Sequence, residues 1–310
     1  MVRLAIDLSD VEAARRRISG RGPRHTPLIP IDGTPWLAKC EGLQATGSFK
    51  IRGATNAVLG LQPKGVVTSS SGNHGRALAT AAAAVGIPCT VVMTPDTTEY
   101  KREAIRAVGG RVVICDEGSE ARNRACREIA ARDGLTMIPP YDHPLVMAGQ
   151  GTTGLEIVDD VADVTAVIVP VSGGGLISGI ATAVKARSPS TTVIGVEPAG
   201  ADDTVRSRAA GHAVTIDQPD TICDGARVQR PGELTFPIVQ ALVDDVISVD
   251  DDEVVAAMRV LAQAGIWAEP TGALSVAGAA RLGAGAGTVC VVSGRNVAPA
   301  DMARLLGVAR

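Results

Sequence analysis

The chain has 310 residues, with 30 Lys and Arg against 33 Asp and Glu, a formal net charge of −3 and an isoelectric point near 5.9. That balance gives no electrostatic footprint for nucleic acid, and an aromatic content of 2% leaves no stacking platform for single strands. The length is enough for a large core divided between two domains, and with two Phe, two Tyr and two Trp that core must be aliphatic.

Ser9-Asp-Val-Glu12 reads as a capping box opening a helix that runs to about Ile18, followed by an irregular stretch with Pro23, Pro27, Pro30 and Pro35. From Gly65 onward, short β-branched runs alternate with helical patterns. Strands are expected at 66–69, 90–93, 112–115, 135–138, 166–169, 193–196, 246–249 and 289–292. Helices are expected at 74–85, 99–108, 120–131, 145–158, 176–186, 251–264 and 273–282. Continuous apolar strands between helices mean mostly parallel sheet covered on both faces, and the succession permits two adjacent α/β units, one built around residues 65–142.

Two uncharged stretches, 77–95 and 165–184, are broken by Gly86, Pro88, Pro170 and a glycine triplet, so each reads as a helix and a buried strand rather than a membrane span. Six scattered cysteines without a CxxC favour a reducing compartment, and four isolated histidines form no zinc spacing. Early acids and the lack of a signal-peptide apolar core make the expected location cytoplasmic.

Glycines gather where strands should meet helices, which is the ligand end of α/β sheets. Ser172-Gly173-Gly174-Gly175-Leu176 follows an expected strand and opens a helix, so its backbone N–H groups suit a phosphate; a plain tight turn reads the same way. Ser69-Ser70-Ser71-Gly72-Asn73-His74-Gly75 also stands between strand and helix, either as a carboxylate loop or as ordinary capping, and His74 alone reads as structural. Lys50, within Gly47-Ser48-Phe49-Lys50-Ile51-Arg52-Gly53, has the apolar and glycine setting in which an amine loses its proton and becomes nucleophilic; a lone lysine is more often solvated. Ser293-Gly-Arg-Asn296 puts a hydroxyl and a glycine at the end of the last strand.

Together these four segments resemble those of the fold-type II pyridoxal-phosphate (PLP) enzymes, with their tryptophan synthase β-like fold, and in particular the serine/threonine dehydratase and serine racemase group. TGSFKIRGA resembles the family's lysine loop, SSSGNHG its asparagine loop, SGGGL its phosphate loop and SGRN its terminal SGxN, all in the family's order. AGQGT (148–152), VEPAGADDT (196–204), DGA (224–226) and AEPTGA (268–273) extend the resemblance over roughly residues 25–300. It implies an α/β fold of two domains, each a mostly parallel sheet flanked by helices. Residues 1–64 and 143–310 would form the large PLP-binding domain, and residues 65–142 a small substrate-gating domain. Lys50-Ile-Arg52 and SSGNH resemble the hydroxyamino-acid dehydratase branch rather than cysteine synthases. The regulatory domain that biosynthetic threonine dehydratases append is expected to be absent, since the chain ends at Arg310, and a homodimer is expected.

By this resemblance Lys50 is the Schiff-base lysine and takes the Cα proton, Phe49 packs beside the cofactor ring and Asn73 bonds the ring 3-hydroxyl. Gly173, Gly174, Gly175 and Leu176 hold the phosphate, Gly225 and Glu269 line the cofactor, and Ser293 meets the pyridine nitrogen. A neutral hydroxyl there does not enforce a protonated ring, which favours β-elimination over transamination. Ser71 stands where racemases of the family carry a second acid/base opposite the lysine, a position where dehydratases also carry serine. Ser70, Ser71, Asn73 and the helix beginning at His74 are expected to grip the substrate α-carboxylate. Arg122 aligns with a residue that closes over dicarboxylate ligands or is an exposed helix arginine. Glu197, the carbonyl of Ala201 and Asp203 match the family's divalent-cation site, for Mg²⁺ or Ca²⁺; otherwise Asp202 and Asp203 cap the next helix. Gly75-Arg76 departs from the family's Ala-Gln. The activity implied is dehydration of L-serine or L-threonine to a 2-oxo acid and ammonia, with serine racemisation beside it. The alternatives are 3-hydroxyaspartate dehydration or a dedicated serine- or aspartate-type racemase.

Overall fold

A computed structural model describes residues 4–70 and 72–307; it is an α/β protein built on two sheets. The larger sheet runs Leu28–Pro30, Leu37–Cys40, Thr288–Val292, Ala166–Pro170, Thr192–Pro198, Asp245–Val249 in spatial order. Only its first pair is antiparallel. The smaller runs Arg111–Ile114, Cys89–Met93, Val66–Thr68, Thr136–Met137 and is parallel throughout, all its strands lying within residues 66–137.

Aliphatic strand residues explain why helices cover both faces. In neighbouring strands of the larger sheet, Val167, Val169, Val289 and Val291 pack with Ile177 and Ile180 of the helix Gly175–Arg187. The alternate residues Ile168, Cys290 and Val292 pack with Leu274 and Ala277 of the helix Pro270–Leu282. Each such aliphatic side chain contributes about 1.5–3 kcal/mol on full burial, so a core with six aromatics in the whole chain suffices. In the smaller sheet the alanines of the helix Asn73–Ala84 let it lie close against Val66 and Val91.

All eight expected strands are present, but the hairpin Leu28–Pro30/Leu37–Cys40 is an addition to the expected elements. Its prolines read as irregular chain; Pro30 ends an edge strand, where a missing N–H costs no ladder bond. The expected capping box at Ser9 and Glu12 is corrected: the helix Leu8–Ile18 is capped by Asp7, whose Oδ1 accepts from Ser9 N at 2.8 Å, while Asp10 Oδ2 accepts from Asp7 N at 3.0 Å. Three helices were not expected, Lys50–Leu61, Thr235–Leu242 and Pro299–Leu306, and Asp203–Ala210 was expected only in the capping alternative for Asp202 and Asp203. In the first, Gly53 reads as a breaker but marks a helix contact, since a Cβ there would lie 2.6 Å from the Val146 carbonyl oxygen. Among the described residues no helix is long and apolar enough to cross a membrane. All six cysteines are free thiols.

Candidate active site

Two loops from opposite ends of the sequence are zipped together at the start of the helix Lys50–Leu61. Phe49 N donates to Ser293 O at 3.1 Å, Arg295 N to Gly47 O at 2.9 Å, and Ser48 bridges Gly294. This sets Lys50 at the first turn of its helix, half-buried, with Nζ donating to the Pro140 carbonyl at 2.7 Å and standing 5.0 Å from the centre of the Phe49 ring. Burial draws the Lys50 amine down to about 8, against the pull of the Glu269 carboxylate. At neutral pH roughly a tenth of such an amine is free base, against well under a thousandth for an ordinary lysine.

Asn73 opens the next helix. Its Nδ2 donates to Glu269 Oε1 at 2.7 Å and its Oδ1 accepts from Asn296 Nδ2 at 2.6 Å; Arg76 donates to Asn296 Oδ1 at 3.1 Å. Asn73, Glu269 and Asn296 are thus one hydrogen-bonded cluster, and Arg76, the departure noted in the sequence, belongs to it. Burial pushes Glu269 up to about 7, opposed by the Asn73 bond. Gly294 is required, because a Cβ there would lie 2.4 Å from Glu269 Oε1. Gly75 is required too, at 2.1 Å from the Ser70 carbonyl oxygen, which folds the half-buried Ser70 back over the helix start. The His74 ring is buried and turned to the Ile138 carbonyl at 3.0 Å, with Nδ1 unpartnered among the described residues. Burial and the Lys50 charge draw His74 down to about 3, so it is neutral. Its ring acts in packing, and only its backbone stands at the helix start. Ser71 lies outside the described residues.

Facing these loops, the strand Ala166–Pro170 turns through Gly173 and Gly174 into the helix Gly175–Arg187, with Gly174 at φ 87°. No side chain caps this helix, so its first amides remain open for an anion. Side chains are excluded from the turn: a Cβ on Gly173 would lie 2.4 Å from the Tyr141 ring, and one on Gly174 2.8 Å from Thr235 Oγ1. Thr235 Oγ1 fixes the loop by donating to Gly173 O at 2.7 Å. Leu176 is buried in the first turn. Farther along, Gly225 N donates to Thr271 Oγ1 at 3.0 Å, beside an ion pair of Lys101 with Asp224.

A partly deprotonated amine at a helix start and a glycine turn closed to side chains stand in one chain. The family model described as "Pyridoxal-phosphate dependent enzyme" matches residues 21–294. The chain belongs to that family. It is 44% identical over 246 residues to the serine racemase of Schizosaccharomyces pombe, covering 78% of this chain and 76% of that one. To the L-threo-3-hydroxyaspartate ammonia-lyase of Saccharomyces cerevisiae it is 42% identical over 246 residues, with the same shares. A solved maize serine racemase superimposes with a TM-score of 0.92 at 37% identity, covering 97% of this chain and 96% of that chain. The α/β, fold-type II architecture expected from the sequence is the one found.

The residues present suit the family's cofactor: a lysine amine held partly deprotonated, and a turn in which three successive Cβ atoms would each meet a neighbour. Tyr141 escaped the sequence reading. Its ring lies flat on Gly173 and its backbone on Gly175, while the preceding carbonyl receives Lys50. One of only two tyrosines, set after Pro139-Pro140, it was the available signal. Burial pushes the Tyr141 phenol up, joined by the charges of Asp142 and Asp203 and opposed by that of Arg122. Among the described residues, Arg122 Nε is buried without a hydrogen-bond partner.

The pair Glu197 and Asp203 sits where the strand Thr192–Pro198 ends and the helix Asp203–Ala210 begins. Glu197 accepts from Thr204 N at 3.1 Å and Val205 N at 2.9 Å; among the described residues both oxygens of Asp203 are buried with no partner. The capping alternative fails, because Asp202 makes no cap bond and instead takes Arg206 at 2.8 Å. Burial raises both carboxyls, Glu197 adding to the rise of Asp203 and Asp202 to that of Glu197. Such orphaned oxygens suit a hard cation. Ala201 is buried in the intervening turn, and Gly200 is required there, a Cβ falling 1.7 Å from the Asp220 carbonyl oxygen. Among the described residues, no group of three or more His, Cys, Asp or Glu gathers as a metal cluster.

Proposed function

We propose that the chain is a PLP-dependent ammonia-lyase of hydroxyamino acids, converting L-serine or L-threonine to a 2-oxo acid and ammonia, with serine racemase activity beside it. The observation that carries this reading is the Lys50 amine, drawn down to about 8 by burial and aimed at a backbone carbonyl rather than at an acid. The cofactor, when bound, supplies the electron sink that acidifies the substrate Cα–H. Lys50 would hold the cofactor through Nζ and, once the substrate amine has displaced it, would take the Cα proton. The Cβ–O bond breaks as the electron pair moves into Cα=Cβ; one water leaves, one returns at Cα, and ammonia departs. Phe49 and Asn73 hold the ring, Glu269 and Asn296 hold Asn73, and the amides of Gly173, Gly174, Gly175 and Leu176 hold the phosphate. Ser293, a neutral partner for the ring nitrogen, keeps the sink shallow and so favours loss of a β-substituent. Gly225 lines the cofactor. Ser70, Ser71 and the helix start at Asn73 and His74 receive the α-carboxylate, and Ser71, by the resemblance, is the second proton carrier that racemisation needs.

Glu197, the Ala201 carbonyl and Asp203 would hold Mg²⁺ or Ca²⁺, whose charge answers the two orphaned oxygens of Asp203. Residues 65–142, which contain the whole four-stranded sheet, form the small domain that gates the site, and 1–64 with 143–310 form the cofactor domain. The working unit is a homodimer, and six free thiols suit the cytoplasm.

The unpartnered Arg122 favours a second reading, in which a β-carboxylate is bound and 3-hydroxyaspartate is dehydrated; the 42% identity to a hydroxyaspartate ammonia-lyase supports it. Assaying 2-oxo acid release from L-serine, L-threonine and the 3-hydroxyaspartate diastereomers, with D-serine formation in parallel, separates these. No turnover of serine or threonine overturns the first reading, and no turnover of any overturns both.

A further inference from the structure

Four charged side chains are buried behind the lysine helix, away from the cofactor loops. Arg52 is 1% exposed and spends every N–H: Nε and one terminal nitrogen fork onto Glu41 at 2.8 and 2.7 Å. The two terminal nitrogens reach Glu156 at 2.5 and 2.8 Å, with Thr152 Oγ1 and the Arg24 carbonyl each at 3.1 Å. Lys39, fully buried, balances the second carboxylate at 2.7 Å and bonds the Thr26 carbonyl at 2.6 Å. The two buried cations face the two buried carboxylates, and Lys39 also stands 3.7 Å from the more exposed Asp160. Buried charges matched and hydrogen-bonded in this way specify geometry at reduced electrostatic cost.

Its position gives it a task. On an α-helix, residues two apart diverge by about 200°, so Lys50 and Arg52 leave opposite sides of the first turn of the helix Lys50–Leu61. Just beyond, that helix touches the helix Pro144–Asp160 backbone to backbone, a Cβ on Gly149 falling 2.6 Å from Gly53 Cα. Two glycines in contact fix how close the helices come, and farther along Gly53 N donates to Gln150 Oε1 at 3.2 Å and Asn56 Nδ2 to the Leu145 carbonyl at 2.7 Å. The fork of Arg52, anchored to Glu156 on that second helix and to Glu41 after the strand Leu37–Cys40, is the charged tie at the turn that carries Lys50, where it holds the roll most tightly.

We propose that Arg52 is a positioning residue for Lys50: clamped by Glu41 and Glu156, it sets the roll of the lysine helix and hence the place of the amine. This rests on Lys50 being the cofactor lysine. Side chains reach about 6 Å from a helix axis, so a roll of about 10° carries the amine about 1 Å, and a displacement of that size at a reacting centre costs about 100-fold.

The test is Arg52→Lys, which keeps the charge and loses the fork, beside Lys39→Met, which breaks the same cluster without touching the lysine helix. Three quantities are read for each: the rate at which apoprotein gains the visible absorption of lysine-bound PLP, kcat and KM, and the thermal midpoint. Arg52→Lys is expected to slow attachment and lower kcat at least 10-fold with KM within a few-fold. Lys39→Met is expected to lose as much thermal stability while holding attachment within about two-fold. Equal slowing in both variants, or wild-type attachment in Arg52→Lys, overturns the proposal. If Arg52→Lys yields no soluble protein, Glu41→Gln, which halves the clamp's charge, must show the same slowing, and wild-type attachment there overturns it. Wild-type protein that never takes PLP on Lys50 overturns instead the reading of the site on which the proposal rests.

Discussion

Replacing Asp203 by Asn should make the cation-free protein more stable, not less. Both Asp203 oxygens are buried without a partner, and burial and Glu197 together hold the carboxyl above its ordinary range. Between the ordinary and the raised values the folded state binds more protons than the unfolded one, so without a cation stability falls as pH rises from the ordinary carboxylate range through neutrality. An uncompensated buried charge costs about 3–5 kcal/mol. Asn removes the charge and offers its amide to Glu197, so we expect a net gain of about 2 kcal/mol, or roughly 3 °C in Tm for a chain of 310 residues. In wild type a bound cation supplies the compensation, about 2.7 kcal/mol at a concentration 100 times Kd. The assay is thermal unfolding at pH 8 of both proteins, in chelator and in excess Mg²⁺ or Ca²⁺. Wild type should gain several degrees from the cation, and Asp203→Asn should start higher and gain little. If Asp203→Asn melts at or below wild type in chelator, or responds to the cation as wild type does, the carboxylate pair is not a cation site.

Other outcomes follow from single contacts. Gly173→Ala drives a methyl into the Tyr141 ring at 2.4 Å, and should weaken PLP binding at least 10-fold in an absorbance titration of apoprotein, with Tyr141→Ala in the same chain restoring part of the loss. Attachment of PLP needs the free amine, so its rate should rise with pH and level off above about 8, the value to which Lys50 is drawn. Glu269→Gln should abolish any limb near pH 7 in that profile, where Glu269 itself titrates, and leave the lysine limb. On the hydroxyaspartate reading, Arg122→Gln should raise KM for 3-hydroxyaspartate about 10–100-fold, the loss of a charged partner, while KM for serine stays within about two-fold.

The sheets were legible because strands covered on both faces read as unbroken aliphatic runs, and a segment such as 166–169, bounded by a proline and glycines, admits no other element at that length. The hairpin at Leu28–Cys40 was not, since its edge-strand proline looks like a breaker until its missing ladder partner is known. The lysine helix was hidden by Gly53, whose purpose is a close crossing with the helix Pro144–Asp160, far along the chain. The candidate site was legible as four glycine- and hydroxyl-bearing loops, because close backbone approach, as at Gly75, Gly173 and Gly294, leaves a mark in sequence. What the loops borrow from elsewhere left none: Tyr141 on the glycine turn, Asn296 on Asn73, and the Arg52 clamp each depend on contacts between segments far apart in the chain.

Lys50 carries the central claim, and hydride trapping tests it most directly. Protein incubated with PLP, reduced with borohydride, digested and analysed by mass spectrometry should carry the cofactor on the peptide containing Lys50. Lys50→Ala should lose both the visible band and 2-oxo acid release. An adduct confined to another lysine, or a Lys50→Ala protein that keeps its band and its turnover, would contradict the account.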